Sequence, residues 1–146
     1  MTGFLLDTNM LIALLWPSHA HHQLAVDWFL QNRRKGWATC PLTQAGFIRI
    51  VSNPAFSRDA VRPLEAVELL EANTSTKEHS FWQCDQTMSG AVSITGVRLV
   101  GHQQITDAYL LGLAMIRGGK LATLDRRIEK MMPADSGGVK YLELVE

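Results

Sequence analysis

The chain is poor in features that would assign it to a special class. Among its 146 residues there are only two cysteines, Cys40 and Cys84, and their separation is not that of a metal-binding pair. Cys40 stands in an apolar run, so it is expected to be a buried free thiol, which suits a reducing cytoplasm. No apolar run is long enough to span a membrane. No basic n-region precedes an apolar stretch, so no secretory signal is expected. Net charge is also absent: 14 Lys and Arg balance 14 Asp and Glu, which argues against a broad, nonspecific grip on phosphates. Local blocks such as Arg33-Arg34-Lys35 and Arg126-Arg127 remain, readable as a basic patch or as solvated helix ends. There is no internal repeat, low-complexity segment or linker, which points to one domain over residues 1–146.

What is present is a soluble balance, 47% hydrophobic and 19% charged, in alternating strand-like and helix-like segments. Phe4-Leu5-Leu6 reads as a first strand and Met10 to Trp16 as a short helix stopped by Pro17. Ser18 is a candidate cap for a helix from about His21 to Arg34, and Gly36 ends it before a strand at Trp37 to Cys40. Helices follow at Leu42 to Val51 and Val61 to Glu71, the latter with Leu64, Val67 and Leu69 or Leu70 inward. A short strand is expected at His79 to Trp82 and a helix at Thr87 to Ile94; Val97 to Val100 is ambiguous. Asp107 to Ile116 is a helix closed by Gly118-Gly119. Lys120 to Leu124 and Val139 to Val145 are strands, the last at an edge. This alternation predicts an α/β chain, a three-layer α/β/α sandwich around a mostly parallel central sheet.

Three aspartates fall at junctions of this pattern. Asp7 ends the first strand, Asp107 opens a helix, and Asp125 ends Leu121-Ala122-Thr123-Leu124. Each alone can be a helix cap. Together they are more telling, because a helix leaving the sheet edge at Asp107 and a strand returning from it bring Asp125 back beside Asp107. Asp7 reaches the same edge if its strand is central. Three carboxylates there would repel one another and resist ionisation, and a hard cation such as Mg²⁺ or Mn²⁺ would relieve that. A metal-bound water can then attack a phosphodiester.

With Phe4-Leu5-Leu6-Asp7-Thr8-Asn9, Ile105-Thr106-Asp107-Ala108-Tyr109-Leu110 and Leu121-Ala122-Thr123-Leu124-Asp125 in this order, the chain resembles the PIN-domain ribonucleases, specifically VapC-type toxins of bacterial toxin–antitoxin pairs. Pro41-Leu42-Thr43-Gln44, Phe47-Ile48-Arg49 and Ser52-Asn53-Pro54 resemble one VapC branch. The resemblance implies Mg²⁺- or Mn²⁺-dependent RNA cleavage at Asp7, Asp107 and Asp125, a VapB-like antitoxin that inserts a segment into the groove, and a homodimer. One departure is that Thr43-Gln44-Ala45-Gly46-Phe47 lacks the acid that PIN domains usually carry on the helix after strand two. Gln44 is the nearest polar candidate there, through its amide oxygen. Thr8, Asn9 and Thr123 are candidates to orient metal-bound waters, or simply to make local turn bonds. Arg49 is a candidate phosphate contact.

Other readings are weaker. His19, His21 and His22 lack a further zinc ligand, and adjacent helical residues diverge. Trp28, Trp37 and Trp82 suit a core better than stacking on bases, whereas Trp16 and Phe56 lie near loops and suit a partner contact. Two further functional readings stand beside the nuclease. One is a degenerate PIN domain that binds RNA or a protein without cutting. The other is a phosphatase forming an aspartyl-phosphate at Asp7, disfavoured because Asn9 stands where a second carboxylate would be wanted.

Overall fold

The computed structural model describes residues 3–146. Among these, the strands are β1 (Phe4–Leu6), β2 (Trp37–Thr39), β3 (His79–Phe81), β4 (Lys120–Thr123) and β5 (Leu142–Leu144). The helices are α1 (Thr8–Leu15), α2 (His22–Asn32), α3 (Pro41–Val51), α4 (Pro63–Thr74), α5 (Met88–Thr95), α6 (Ile105–Ile116) and α7 (Arg127–Met131). All four strand pairings are parallel, in the order β3-β2-β1-β4-β5. The chain builds outward from β1 to β3 on one side, then crosses back to lay β4 on the other side of β1. The β1/β4 seam is thus where the direction of winding reverses, and open α/β sheets bind ligands outside the carboxyl ends of their strands at such a point.

The layers follow from the two-residue period of strands. Phe4 and Leu6 of β1 enter an apolar layer with Met10, Leu11, Phe47, Val51 and Leu70, roofed by α1 to α4. Leu5 points the other way, into a layer with Tyr109, Leu110, Leu113, Leu121 and Ile128 beneath α5, α6 and α7. Helices α5 and α6 touch so closely that a Cβ on Gly112 would meet the Ala91 carbonyl oxygen.

The predicted α/β/α sandwich is the one observed, with several local differences. The α4 stripe is misphased: Leu64 is 68% exposed and Val67 is exposed as well, while Ala66 and Leu70 face the core. Helix α2 begins after His21, not after a Ser18 cap. Residues 137–141 form a 3₁₀ segment, so the last strand keeps only Leu142–Leu144 and sits at the sheet edge. Trp16 is no partner contact; it is buried and packs edge-on against Phe56 at 5.5 Å. Trp37 and Trp82 are buried as expected, and Trp28 packs against the same core while its indole N–H donates to Glu143 Oε2 at 3.0 Å.

Candidate active site: a carboxylate groove at the β1/β4 seam

A groove of about 580 Å³ opens at the carboxyl ends of β1 and β4, and Asp7, Asp107 and Asp125 all line it, with Thr8, Asn9 and Arg49. Asp7 is carried there by β1. It is 5% exposed, and both its oxygens are engaged: Oδ1 accepts from the Thr8 amide at 2.8 Å and Oδ2 from the Thr123 hydroxyl at 2.8 Å. Burial pushes its carboxyl above the usual range, against the pull of those two bonds.

The Thr123 hydroxyl is a hub. It donates to Asp7, and it accepts from the Asn9 amide at 3.3 Å and from the Asp125 backbone N–H at 3.1 Å. Asn9 Oδ1 in turn accepts from the Leu124 N–H at 3.2 Å. Thr123 and Asn9 therefore tie the end of β4 to the start of α1 and fix Asp7 and Asp125 relative to each other.

Asp107 enters from the first turn of α6 without capping it. Its carboxyl is pushed up to about 7 by burial first, then by the charges of Asp7 and Asp125, with Arg127 opposing. Asp125 differs. Its two oxygens are held by the Arg127 guanidinium, Nε to Oδ1 at 3.0 Å and a terminal nitrogen to Oδ2 at 2.8 Å, and Oδ1 also accepts the Arg127 N–H at 2.9 Å. The Arg127 bonds hold its carboxyl below the usual range. Asp125 thus accepts the first amide of α7 and lines the groove at once. Among the described residues no three carboxylate, imidazole or thiol groups close into a ready-made metal cage.

Gln44 does not fill the gap left by the missing acid. Its amide donates to Thr39 Oγ1 at 3.0 Å, Thr39 Oγ1 lies 2.8 Å from His79 Nε2, and Gln44 lines a separate hollow between α3 and α4. Helical phase is the reason: α3 turns Leu42, Ala45, Gly46 and Arg49 to the groove, and position 44 falls outside that face. Gly46 sits where α3 meets α1, and a Cβ there would lie 2.8 Å from Thr8 Oγ1 and 2.9 Å from Thr8 Cγ2. Gln103 and Thr106 are groove residues not expected from the sequence, and Arg127 and His19, expected there only as part of a basic block and of a histidine cluster, line the groove too. The signal for Arg127 was its place two residues after Asp125, within a basic block that also reads as a helix end. His19 Nδ1 accepts from the His21 backbone N–H, His22 Nδ1 contacts the Ala13 carbonyl, and the His21 ring lies 5.8 Å from that of His19, so the imidazoles of His19 and His22 are engaged locally.

Comparison with known proteins agrees with this architecture. The model of the PIN domain family matches residues 4–132. Ribonuclease VapC39 of Mycobacterium tuberculosis (strain ATCC 25618 / H37Rv) is 40% identical over 143 residues, 97% of this chain and 98% of the relative. Ribonuclease VapC38 of the same strain is 43% identical over 83% of this chain and 84% of its own. The chain therefore belongs to the PIN-domain family, in its VapC branch. Among solved structures, VapBC2 of Rickettsia felis bound to a promoter DNA fragment superposes with a TM-score of 0.66 at 12% identity, covering 98% of both chains. VapC20 of Mycobacterium tuberculosis, described as a sarcin–ricin loop cleaving toxin, gives 0.63 at 14% identity over 87% of this chain and 93% of that one. At such identities these two structures speak for the fold.

Proposed function

We propose that this protein is a metal-dependent endoribonuclease, the toxin of a type II toxin–antitoxin pair, which cleaves RNA phosphodiester bonds. The observation that carries the reading is the meeting of Asp7, Asp107 and Asp125 in one groove at the β1/β4 seam. The names of the VapC relatives, ribonucleases at about 40% identity, support the same activity.

The donor set suits Mg²⁺ or Mn²⁺. It consists of carboxylate oxygens, and Asp107, pushed up to about 7 by burial first and then by Asp7 and Asp125, sits among negative charges that a cation would offset. Asp7, Asp107 and Asp125 are the residues that would hold such a cation, which keeps several waters of its own when it binds few protein ligands. When bound, such a metal supplies a nucleophilic water and stabilises charge on the leaving oxygen. The chain's own residues do the positioning. Thr123 holds Asp7 Oδ2, the Thr8 amide holds Oδ1, and Asn9 secures the β4 end. Arg49, exposed on the α3 wall, is placed to meet a phosphate. The partners are single-stranded RNA, a VapB-like antitoxin and a second copy of the chain. The antitoxin is supported by likeness to VapBC pairs from Rickettsia felis and Salmonella typhimurium. No helix among the described residues is long and apolar enough to cross a membrane, which accords with a cytoplasmic protein.

A second reading, RNA or protein binding without cutting, is favoured by two observations: α3 carries no acid along its whole length, and Arg127 already occupies Asp125. The test is cleavage of mixed RNAs across a Mg²⁺ and Mn²⁺ titration by the native protein and by Asp7→Asn and Asp107→Asn. Products from the native protein only are expected. Equal cleavage by both variants overturns the nuclease site, and binding without products at every metal concentration establishes the second reading.

A further inference from the structure

The carboxylate groove continues past Asp107. Gln103, Asp107 and Arg127 are shared with a second hollow of about 440 Å³. Val100, Gln104 and Met131 of that hollow are shared in turn with a third of about 400 Å³, which reaches Arg98 and Lys130. The three make one trough leading from the aspartates, past the start of α6, to the outer side of α7.

Its charge reverses along the way. The near end is acidic. Beyond Asp107 the lining contains Arg127, Lys130 and Arg98 and no further carboxylate. Among the described residues Arg98 and Lys130 enter no ion pair, and both are exposed. In a chain of zero net charge this is a local concentration of free cations. The opposite wall is segment 100–104, whose start is tied to its end by Gln104. Gln104 Oε1 accepts from the Val100 N–H at 2.8 Å and the Gly101 N–H at 3.2 Å. That arrangement leaves the Val100 side chain 88% exposed beside His102 and Gln103.

We infer that this trough is the track for one arm of a single-stranded RNA running away from the scissile phosphate. The inference rests on the ribonuclease reading above. Arg127, Lys130 and Arg98 would follow successive phosphates, and the Val100, His102 and Gln103 wall would meet the bases. Cations on one side with apolar and amide groups on the other match a single strand, whose bases are unpaired and free to turn to the wall. A polypeptide with an acidic stripe would use the same cations, and the test separates the two.

The Asp7→Asn protein, kept in chelator so that the RNA stays intact, is titrated with a fluorescent mixed-sequence 12-nucleotide RNA over a range of salt. Arg98→Glu/Lys130→Glu on that background should bind at least tenfold more weakly at low salt. Its slope of log Kd against log[salt] should fall by about 1.4, at ~0.7 per phosphate contact of a single strand. Arg98→Gln/Lys130→Gln should show the same loss of slope if the charge reversal disturbs folding. Arg33→Glu/Arg34→Glu, with the same change in net charge just before the amino end of β2, should leave the slope unaltered. An unaltered slope in both trough variants, with native protein that still cuts RNA, overturns the track alone. Native protein that neither binds nor cuts RNA overturns the ribonuclease reading and the track with it. Trough variants that keep RNA affinity but release a co-purifying protein partner assign the trough to a polypeptide and overturn the RNA track.

Discussion

Asp7 and Asp125 follow neighbouring parallel strands and line the same groove, yet their surroundings are opposite. Asp7 is buried, pushed up by desolvation, and held by one hydroxyl and one amide. Asp125 is nearer solvent, pulled down, and gripped by a guanidinium. Topology delivers a carboxylate to the seam, but its partners decide how readily it can be offered to a cation. Asp7 is a fixed carboxylate whose charge burial disfavours. Asp125 would have to loosen its hold on Arg127 to meet a cation.

The largest effect should therefore come from Asp7. Asp7→Asn is expected to reduce RNA cleavage by roughly 100-fold or more, the scale of losing a preorganised electrostatic group. Asp125→Asn should lose no more than about tenfold. Single-turnover rates on one substrate measure both, and a reversed ranking would break the comparison. Next is the contact that shapes the Asp7 side of the groove. Gly46→Ala should cost about 1–3 kcal/mol by overpacking, read by urea unfolding, and Thr8→Ala in the same chain should restore much of it.

A pH series separates the two kinds of aspartate. The folded-state pKa of Asp107 lies at about 7, above the unfolded value near 3.9, so its contribution to stability is complete below that lower value and is lost as pH rises through 7. Asp7, also raised, acts in the same direction. Asp125 is lowered, so its contribution is present above the unfolded value and is lost as pH falls through the depressed one. The metal-free protein should thus lose stability between about pH 4 and 7. Asp107→Asn should flatten that fall and gain on the order of 1 kcal/mol at pH 8, once solvent screening is allowed for. Thermal unfolding in chelator checks it; a slope unchanged by the substitution contradicts it. The smallest effect concerns Arg127. Arg127→Ala should raise Mn²⁺ affinity two- to fivefold by calorimetry, matching the ~0.5–1 kcal/mol of an exposed ion pair. Weaker Mn²⁺ binding would show that Arg127 assists the site.

Much of this was legible in the residues, because strand ends announce themselves. An apolar triplet closed by Asp7 and an apolar run closed by Asp125 define position and direction at once, and chain continuity through α6 forces Asp107 to the same edge. Side-chain choices within helices were less legible. Gln44 seemed to stand in for the missing acid because it was the nearest polar group, but the 3.6-residue period turns it toward Thr39 and His79. Leu64 and Val67 failed in the same way: their apolarity suggested burial, and the helix phase gave the core to Ala66 and Leu70. The clasp of Arg127 on Asp125 needed coordinates, since a basic pair after an aspartate equally describes a solvated helix end.

The fit of Gly46 against Thr8 bears on how such a site changes over generations. A carboxylate cannot be gained at position 46 by one tolerated substitution while Thr8 keeps its methyl and hydroxyl against the helix. Position 8 would have to shrink first, beside the amide that holds Asp7, in an intermediate that gains nothing from the smaller residue. The two residues thus act as a ratchet at this point of the groove, and descendants of this chain can place a larger residue at position 46 only by paired changes.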